Sequence, residues 1–455
     1  MPTAYTILFL LLILVAAATW IIPAGSYDYV DGVPVAGTYH TVEQNPQGVG
    51  DVLKAAFSGF YDAVDVCIFI LMVGGFLGVV MKTGAVDAGV GNVIRLLGGR
   101  EKWLIPILML LFGLGGTTYG MWEETMAFYP LLIPVFLAAG YDAVVGISVI
   151  LLGAGAGVIA STVNPFATGI AAGFAGVSLG EGIVLRLLEW VAFEAAAIWF
   201  VMAYAAKVKK NPSKSVVGVG AGKIQVSMDQ QVPFTAKRKV IMALFTLTFL
   251  IMVYAVVPFD EMGLSLPTLG WWFPELSALF LVAGVVIGLI DRMSEEELVE
   301  TYVAGCADLL GVAFIIGISR GITVLMNDGA ITDTVLHWGE QALSGAGAIS
   351  FTLLVFALYL PLTILIPSSS GLATLSIPIV APLGKFAGVG GDLVVTAFQS
   401  ASGLVNIITP TAAVVMGALA LGHVPYDRWV KYVWKLILWF LLLALAFLVA
   451  GVLLG

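Results

Sequence analysis

Apolar runs of about 20 residues, long enough to cross a hydrocarbon core as helices, recur near 4–22, 64–82, 182–206, 239–257, 271–290, 303–326 and 430–453. Two further apolar stretches, near 143–175 and 392–420, are interrupted in the middle. The first interruption reads Ala160–Ser161–Thr162–Val163–Asn164–Pro165–Phe166–Ala167–Thr168. The second reads Asn406–Ile407–Ile408–Thr409–Pro410–Thr411–Ala412–Ala413. Proline among Asn, Ser and Thr breaks a helix and frees backbone groups that lipid cannot satisfy. Such a break survives where it lines a cavity enclosed by protein.

Two more segments, 103–138 and 350–388, each place two apolar arms around a polar tip. The tips are Gly115–Gly116–Thr117–Thr118–Tyr119–Gly120 and Pro367–Ser368–Ser369–Ser370–Gly371. Each arm is short for a full crossing, which predicts re-entrant hairpins. Two ordinary helices joined by a loop are the alternative. Residues Thr6–Ile22 lack the basic start of a signal peptide and are expected to stay as the first helix.

The pattern repeats. Val79-x-Met81-x-x-Gly84–Ala85 matches Val324-x-Met326-x-x-Gly329–Ala330 at an offset of 245, as Pro165 matches Pro410. Pro130, Pro134 and Gly140 match Pro378, Pro382 and Gly388 at 248, and Gly59-x-x-Asp62 matches Gly305-x-x-Asp308. Each half reads helix, helix, hairpin, broken helix, helix, and the extra helix 239–257 turns the second half over. The expected fold is therefore all-α and polytopic, an inverted repeat with two re-entrant hairpins and two broken helices. Its parts are 1–206, a basic linker plus inverting helix at 207–270, and 271–455. Paired breaks in corresponding positions point to a transporter's binding site.

Composition agrees. Of 455 residues, 60% are hydrophobic and 11% charged, where a soluble domain carries about a quarter charged. The net charge of −9 comes from acids scattered over loops and suggests no nucleic-acid partner. With the amino terminus in the cytoplasm and the carboxyl terminus outside, segments 94–102, 207–239, 291–302 and 421–435 are cytoplasmic. All Lys and Arg except Lys54, Arg186, Arg320 and Lys385 then fall at the inner face, 20 − 4 = 16 of them, as the positive-inside rule requires. The charges give the same sidedness whether or not the hairpins are re-entrant. The basic segment 207–239 is a topology anchor, with a lipid-headgroup role as its alternative. Segments 85–98 and 330–345 are expected along the interface. Cys67 and Cys306 read as small hydrophobes, and the isolated His40, His337 and His423 suggest no metal site.

Chemistry at membrane depth gathers at four points. The tips offer Thr117, Thr118, Ser368, Ser369 and Ser370, and the breaks offer Thr168, Asn164, Asn406, Thr409 and Thr411. Hydroxyls, amides and freed carbonyls near Ser161, Asn164, Asn406 and Thr409 suit a coupling Na⁺, and half-helix amino termini suit a carboxylate. For any single hydroxyl, close helix packing is the simpler account. Glu123 and Glu124 follow the first tip and have no acidic counterpart in the second. One could meet a cationic substrate or carry a proton; both could instead be solvated near a surface. Arg320, alone inside its span, suits either a clamp on a substrate carboxylate or a structural partner of Glu124 or Asp308. Asp62, Asp65 and Asp308 lie near span ends and are weaker candidates, and Glu189 and Glu194 read as packing partners. Gly153-x-Gly155-x-Gly157 lacks the strand and spacing of a dinucleotide loop and reads as a packing face. No nucleotide loop occurs, and no His or Lys at depth accompanies a serine as an intramembrane hydrolase would need; a channel stays open.

Together, Ile22–Pro23–Ala24–Gly25, Gly116–Thr117–Thr118 through Glu123–Glu124, Val163–Asn164–Pro165–Phe166–Ala167–Thr168 and Ile366–Pro367–Ser368–Ser369–Ser370–Gly371 resemble the YfcC-like branch of the DcuC family. The resemblance covers essentially the whole chain. It implies a secondary carrier of the inner membrane, a homodimer of elevator type, with C4-dicarboxylates or arginine and ornithine as substrates. It implies no cofactor beyond a coupling Na⁺ or H⁺. The acids at one tip favour a basic amino acid over a dicarboxylate.

Overall fold

Where apolar sequence is uninterrupted, the chain satisfies its own backbone as helix. In the computed structural model the described residues are 4–30, 33–86, 88–89, 92, 100–118, 120–178, 180–218, 233–256, 259, 265–271 and 273–454. Tyr119, most of 90–99 and residues 219–232 with Lys223 lie outside them, so the expectations for those positions do too.

The first half contains α1 (Ala4–Ala18), α2 (Val49–Asp62), α3 (Val64–Lys82), α4 (Leu104–Thr118), α5 (Tyr129–Ala138), α6 (Ala143–Ile159), α7 (Ile170–Ala175) and α8 (Ile183–Lys210). After α9 (Ala236–Val256) come α10 (Phe273–Asp291), α11 (Glu295–Asp328), α12 (Thr332–Leu343), α13 (Ala348–Leu365) and α14 (Ser369–Phe386). The chain closes with α15 (Gly391–Asn406), α16 (Ala413–Leu421) and α17 (Tyr426–Leu454). The fold is not purely helical. Between α1 and α2, β1 (Gly25–Ser26) pairs antiparallel with β4 (His40–Thr41), and β2 (Tyr29–Val30) with β3 (Val33–Pro34).

Among the described residues, five helices are long and apolar enough to cross a membrane: α3, α10, α11, α13 and α17. Boundaries follow local chemistry. Asp142 Oδ1 accepts from Val145 N at 3.0 Å to start α6, and Ser294 Oγ accepts from Glu297 N at 3.1 Å to start α11, whose first turn holds three acids that suit its positive end.

The sequence pattern missed α2. Its stretch mixes Gly50, Asp51, Lys54, Ser58 and Gly59 with apolar residues and reads as the end of a loop rather than a span. With it, 49–82 and 295–328 are each 34 residues long. At about 1.5 Å per residue, that is about 51 Å, well beyond a hydrocarbon core. The first copy is interrupted at Ala63 (φ −121°, ψ 24°), whereas α11 is continuous.

These two long elements pack against each other through glycines and run antiparallel. A Cβ on Gly59 would stand 2.1 Å from the Gly317 carbonyl oxygen, and one on Gly305 would stand 2.3 Å from that of Gly74. The expected packing face at Gly153–Gly157 is present. Gly153 abuts Met109 and Gly157 abuts the Gly113 carbonyl, both on α4, while Gly155 abuts Ile407 in the second break. Gly403 abuts Ile159, so the two broken helices meet close to both interruptions. Both α4 and α5 pack on α6.

Candidate functional site

The two tips and the two breaks converge. Segment 120–128 carries a 3-10 turn at Glu123–Phe128 before α5, and 366–368 joins α13 to α14. The first break leaves α6 at Ala160, passes through a π turn at Pro165–Gly169 and resumes as α7. Its backbone is held by Thr117. Thr162 N and Val163 N donate to the Thr117 carbonyl oxygen at 2.9 and 3.2 Å, and Thr117 Oγ1 donates to the Ala160 carbonyl oxygen at 2.8 Å. The second break is held from elsewhere. Trp429 Nε1 and Tyr426 OH of α17 donate to the carbonyl oxygens of Ile407 and Ile408 at 3.1 and 2.7 Å. Ser319 Oγ of α11 donates to that of Thr411 at 2.6 Å. Protein donors thus take up the carbonyls that proline and the helix ends set free.

A cavity of about 180 Å³ lies between these points. The tips contribute Trp122, Glu123 and Glu124, and Pro367 with Ser368, Ser369 and Ser370. The breaks contribute Asn164 and Asn406, α10 contributes Phe273, and the long antiparallel pair contributes Asp62, Asp65 and Arg320. A smaller recess of about 40 Å³ shares Trp122, Glu123, Arg320, Pro367 and Asn406 and adds Ser319 and Thr411. The wall therefore carries four carboxylates and one guanidinium.

Arg320 pairs with neither Glu124 nor Asp308, the structural partners expected from sequence. Its Nε lies 3.7 Å from Asp62 Oδ2. Glu124 Oε2 accepts from Trp122 N at 3.1 Å, and Asp308 lines a separate cavity of about 990 Å³ between α1, α11, α16 and the start of α17. At the second tip, Ser368 Oγ accepts from Gly371 N at 3.2 Å and so caps α14, whose positive end faces the cavity. Asn406 is 6% exposed and its Oδ1 has no hydrogen-bond partner among the described residues. An orphaned buried acceptor facing a polar cavity fits a ligand group or water.

Four of the residues expected to bind substrate line neither the cavity nor its recess. Thr117 staples the first break. Thr118 Oγ1 donates to the Leu114 carbonyl oxygen, Thr168 Oγ1 donates to Ser161 Oγ at 2.7 Å, and Thr409 Oγ1 bonds Thr411 Oγ1 at 2.8 Å. Of the four residues expected around Na⁺, Asn164 and Asn406 share the cavity, whereas Ser161 and Thr409 are engaged beside it. Asp62, Asp65, Trp122 and Phe273 are the wall residues that sequence underweighted. The matched Gly-x-x-Asp at Asp62 and Asp308 was a signal for Asp62 alone. Glu189, expected as a packing partner, accepts from Ser400 Oγ at 2.8 Å, and the Glu194 carboxylate abuts Gly113.

Comparison with known proteins places the chain in a family. An uncharacterized protein of Haemophilus influenzae is 35% identical, covering 99% of this chain and 97% of its own. The Escherichia coli K12 protein named "Putative basic amino acid antiporter YfcC" is 31% identical over 95% of this chain and 92% of its own. Among solved structures, the Alcanivorax borkumensis YdaH transporter aligns over 98% of both chains at 14% identity and a TM-score of 0.46. Neisseria gonorrhoeae MtrF aligns over 98% of this chain and 94% of its own, at 17% identity and a TM-score of 0.43. The model of the DcuC family, described as C4-dicarboxylate anaerobic carrier, matches residues 1–453. The protein is thus a multi-pass membrane transporter, not an enzyme, and it belongs to the DcuC family.

Proposed function

We propose that the protein is a secondary carrier for a basic amino acid, working by exchange or by coupling to Na⁺ or H⁺. One observation carries this: Asp62, Asp65, Glu123 and Glu124 share a cavity with a single base, Arg320. A C4-dicarboxylate entering that wall would add two carboxylates to the four already there. A basic amino acid brings two cationic groups for the acids and one carboxylate for Arg320 or the α14 amino terminus. The name of the E. coli relative points the same way. Arg320 with Ser368, Ser369 and Ser370 at the capped α14 terminus is the feature that favours a dicarboxylate, as does the family's description.

The same proposal takes 1–206 and 271–455 as inverted halves joined by 207–270. The antiparallel contact supports this, because the matched Gly59 and Gly305 each pack closely on the backbone of the opposite long element, at Gly317 and at Gly74. Both tips reaching one cavity supports re-entrant hairpins. Elevator movement of the hairpins and broken helices, and a homodimer, follow from the family resemblance. The bases Lys82, Lys237 and Arg238 gather at one end, where Lys82 meets Glu297 at 3.6 Å and Lys237 meets Asp291 at 2.6 Å. That supports an amino terminus in the cytoplasm of a cell whose inner membrane holds the protein.

Counterflow in proteoliposomes tests the substrate. Vesicles loaded with unlabelled ornithine should accumulate labelled arginine, and labelled succinate should not enter. Succinate uptake without arginine–ornithine exchange would replace the basic amino acid with the dicarboxylate.

A further inference from the structure

Outside the polar cavity, a groove of about 400 Å³ runs between α8 and α17. Its deep part is apolar and aromatic. Trp199 and Trp439 stack with ring centroids 5.7 Å apart and planes 18° apart, yet both stay more than half exposed to the surroundings of the bundle. Eight residues along each helix, about 12 Å, Lys207 on α8 and Lys431 on α17 close the other part of the groove, joined by Lys214 and Lys435. Between the two zones lie Tyr204 and Tyr432, whose rings pack at 4.6 Å.

This gradation from aromatic floor to ammonium mouth has the polarity order of the headgroup and upper acyl chain of a phospholipid lying along the protein. Among the described residues, Lys207, Lys214 and Lys435 have no carboxylate within 4.0 Å. Lys431 has only Asp427 at 3.9 Å, which Arg428 also approaches at 3.7 Å. The mouth therefore sets four lysines against one shared carboxylate, beside the end of the apolar helix α17, where an anionic headgroup gains most. The floor faces outward, toward acyl chains, as tryptophans at an interface do.

We infer that this groove is a binding site for an anionic phospholipid, with the phosphate held by Lys207, Lys214, Lys431 and Lys435 and an acyl chain on Trp199 and Trp439. A zwitterionic lipid carries a compensating ammonium that the lysines repel. A free phosphate lacks the chain that the floor accepts.

Thermal unfolding of the full-length protein in detergent tests this, with dioleoylphosphatidylglycerol, dioleoylphosphatidylcholine or inorganic phosphate added. Phosphatidylglycerol should raise the Tm by several degrees and the other two should not. The double variant Lys431→Gln/Lys435→Gln should keep the lipid-free Tm, because these side chains are solvent-exposed, and lose most of the rise. Lys207→Gln/Lys214→Gln, on the facing side, should do the same. An equal rise with phosphatidylcholine or with inorganic phosphate would overturn the assignment. So would an undiminished rise in both variants, or no headgroup-dependent rise at all, as expected of a groove covered by a second copy of the chain.

Discussion

Arg320 Nε lies 3.7 Å from Asp62 Oδ2, bridging the two long antiparallel elements at the wall of the polar cavity. The repeat does not supply this pair twice. At the offset that carries Gly59 to Gly305, Asp62 corresponds to Asp308, but Arg320 corresponds to Gly74. Asp62 is half exposed, so the pair contributes at most about 1 kcal/mol to stability. Its importance is in setting the charge of the wall. Arg320→Lys keeps the charge and loses the planar fork that grips a carboxylate through two bonds. Transport kcat/KM should fall tenfold or more while the Tm changes little. Wild-type transport by Arg320→Ala would remove Arg320 from the site.

The two glutamates of the first tip should separate by function. Glu123 lines both the main cavity and its recess, while Glu124 accepts from Trp122 N and is 5% exposed. Glu123→Gln should raise the KM for a basic amino acid about ten- to a hundredfold, the equivalent of losing a charged hydrogen bond of about 1.5–3 kcal/mol. Glu124→Gln keeps an acceptor for Trp122 N and should leave the Tm near wild type. Glu124→Ala strands that buried donor and should cost about 1–3 kcal/mol of stability. Counterflow kinetics and thermal unfolding measure the two effects separately.

The interruptions were legible because proline and glycine act locally. Pro165 and Pro410 each mark a break, and the arms at 104–118, 129–138, 348–365 and 369–386 follow apolar runs bounded by polar tips. What the tip hydroxyls do was not legible, since Thr117 and Ser368 look alike in sequence. The structure uses Thr117 to staple a backbone break and leaves Ser368 on a cavity wall. Asp62 was underweighted for a related reason. With α2 read as loop, Asp62 stood near the end of a span, whereas continuous helix on both sides of Ala63 sets it within the bundle. Partners far apart in sequence, such as Asp62 and Arg320, leave no local pattern.

The staple at Thr117 makes its own prediction. Thr117 Oγ1 donates to Ala160 and accepts from Thr162 N at 3.1 Å, and Thr117 is 2% exposed. Thr117→Val keeps the shape and strands the Ala160 carbonyl oxygen, while Thr162 N keeps its bond to the Thr117 carbonyl; the loss should cost about 1–3 kcal/mol. Thr117→Ser should retain most of the stability. Equal thermal unfolding of Val and Ser variants would show that the break is held by packing alone.

The close approach of the long elements should tolerate no side chain. Gly305→Ala would bring a Cβ to 2.3 Å from the Gly74 carbonyl oxygen, a backbone atom that cannot rotate away, and overpacking of this kind costs about 1–3 kcal/mol. Gly50→Ala, with nothing within 4 Å of the added Cβ, should be neutral or stabilising by up to about 1 kcal/mol, since alanine is the better helix former. The contrast in Tm between these variants measures the glycine contact against the bare effect of adding a methyl group.

At the end of the bundle that carries the strands, a clasp ties the β1–β4 segment to α12 and makes stability depend on alkaline pH. Tyr27 N donates to Asp333 Oδ2 at 3.0 Å, Tyr27 OH to Glu340 Oε2 at 2.8 Å, and Tyr29 OH to Asp333 Oδ1 at 2.7 Å. The Tyr39 ring stacks on His337 at 4.0 Å, and His337 Nδ1 lies 3.0 Å from Glu340 Oε2. Burial first, then the hydrogen bond to Glu340, pushes the Tyr27 hydroxyl well above the ordinary tyrosine range. Burial and Asp333 do the same to Tyr29. A group whose folded pKa is raised contributes stability that is fully present below its unfolded pKa and is lost as pH rises. The Tm should therefore hold up to a pH of about 10, the unperturbed tyrosine value, and fall beyond it. Tyr27→Phe/Tyr29→Phe should start lower, for want of two hydrogen bonds, and decline less steeply above that pH. Parallel alkaline slopes for the variant and the wild type would place the pH dependence elsewhere in the protein.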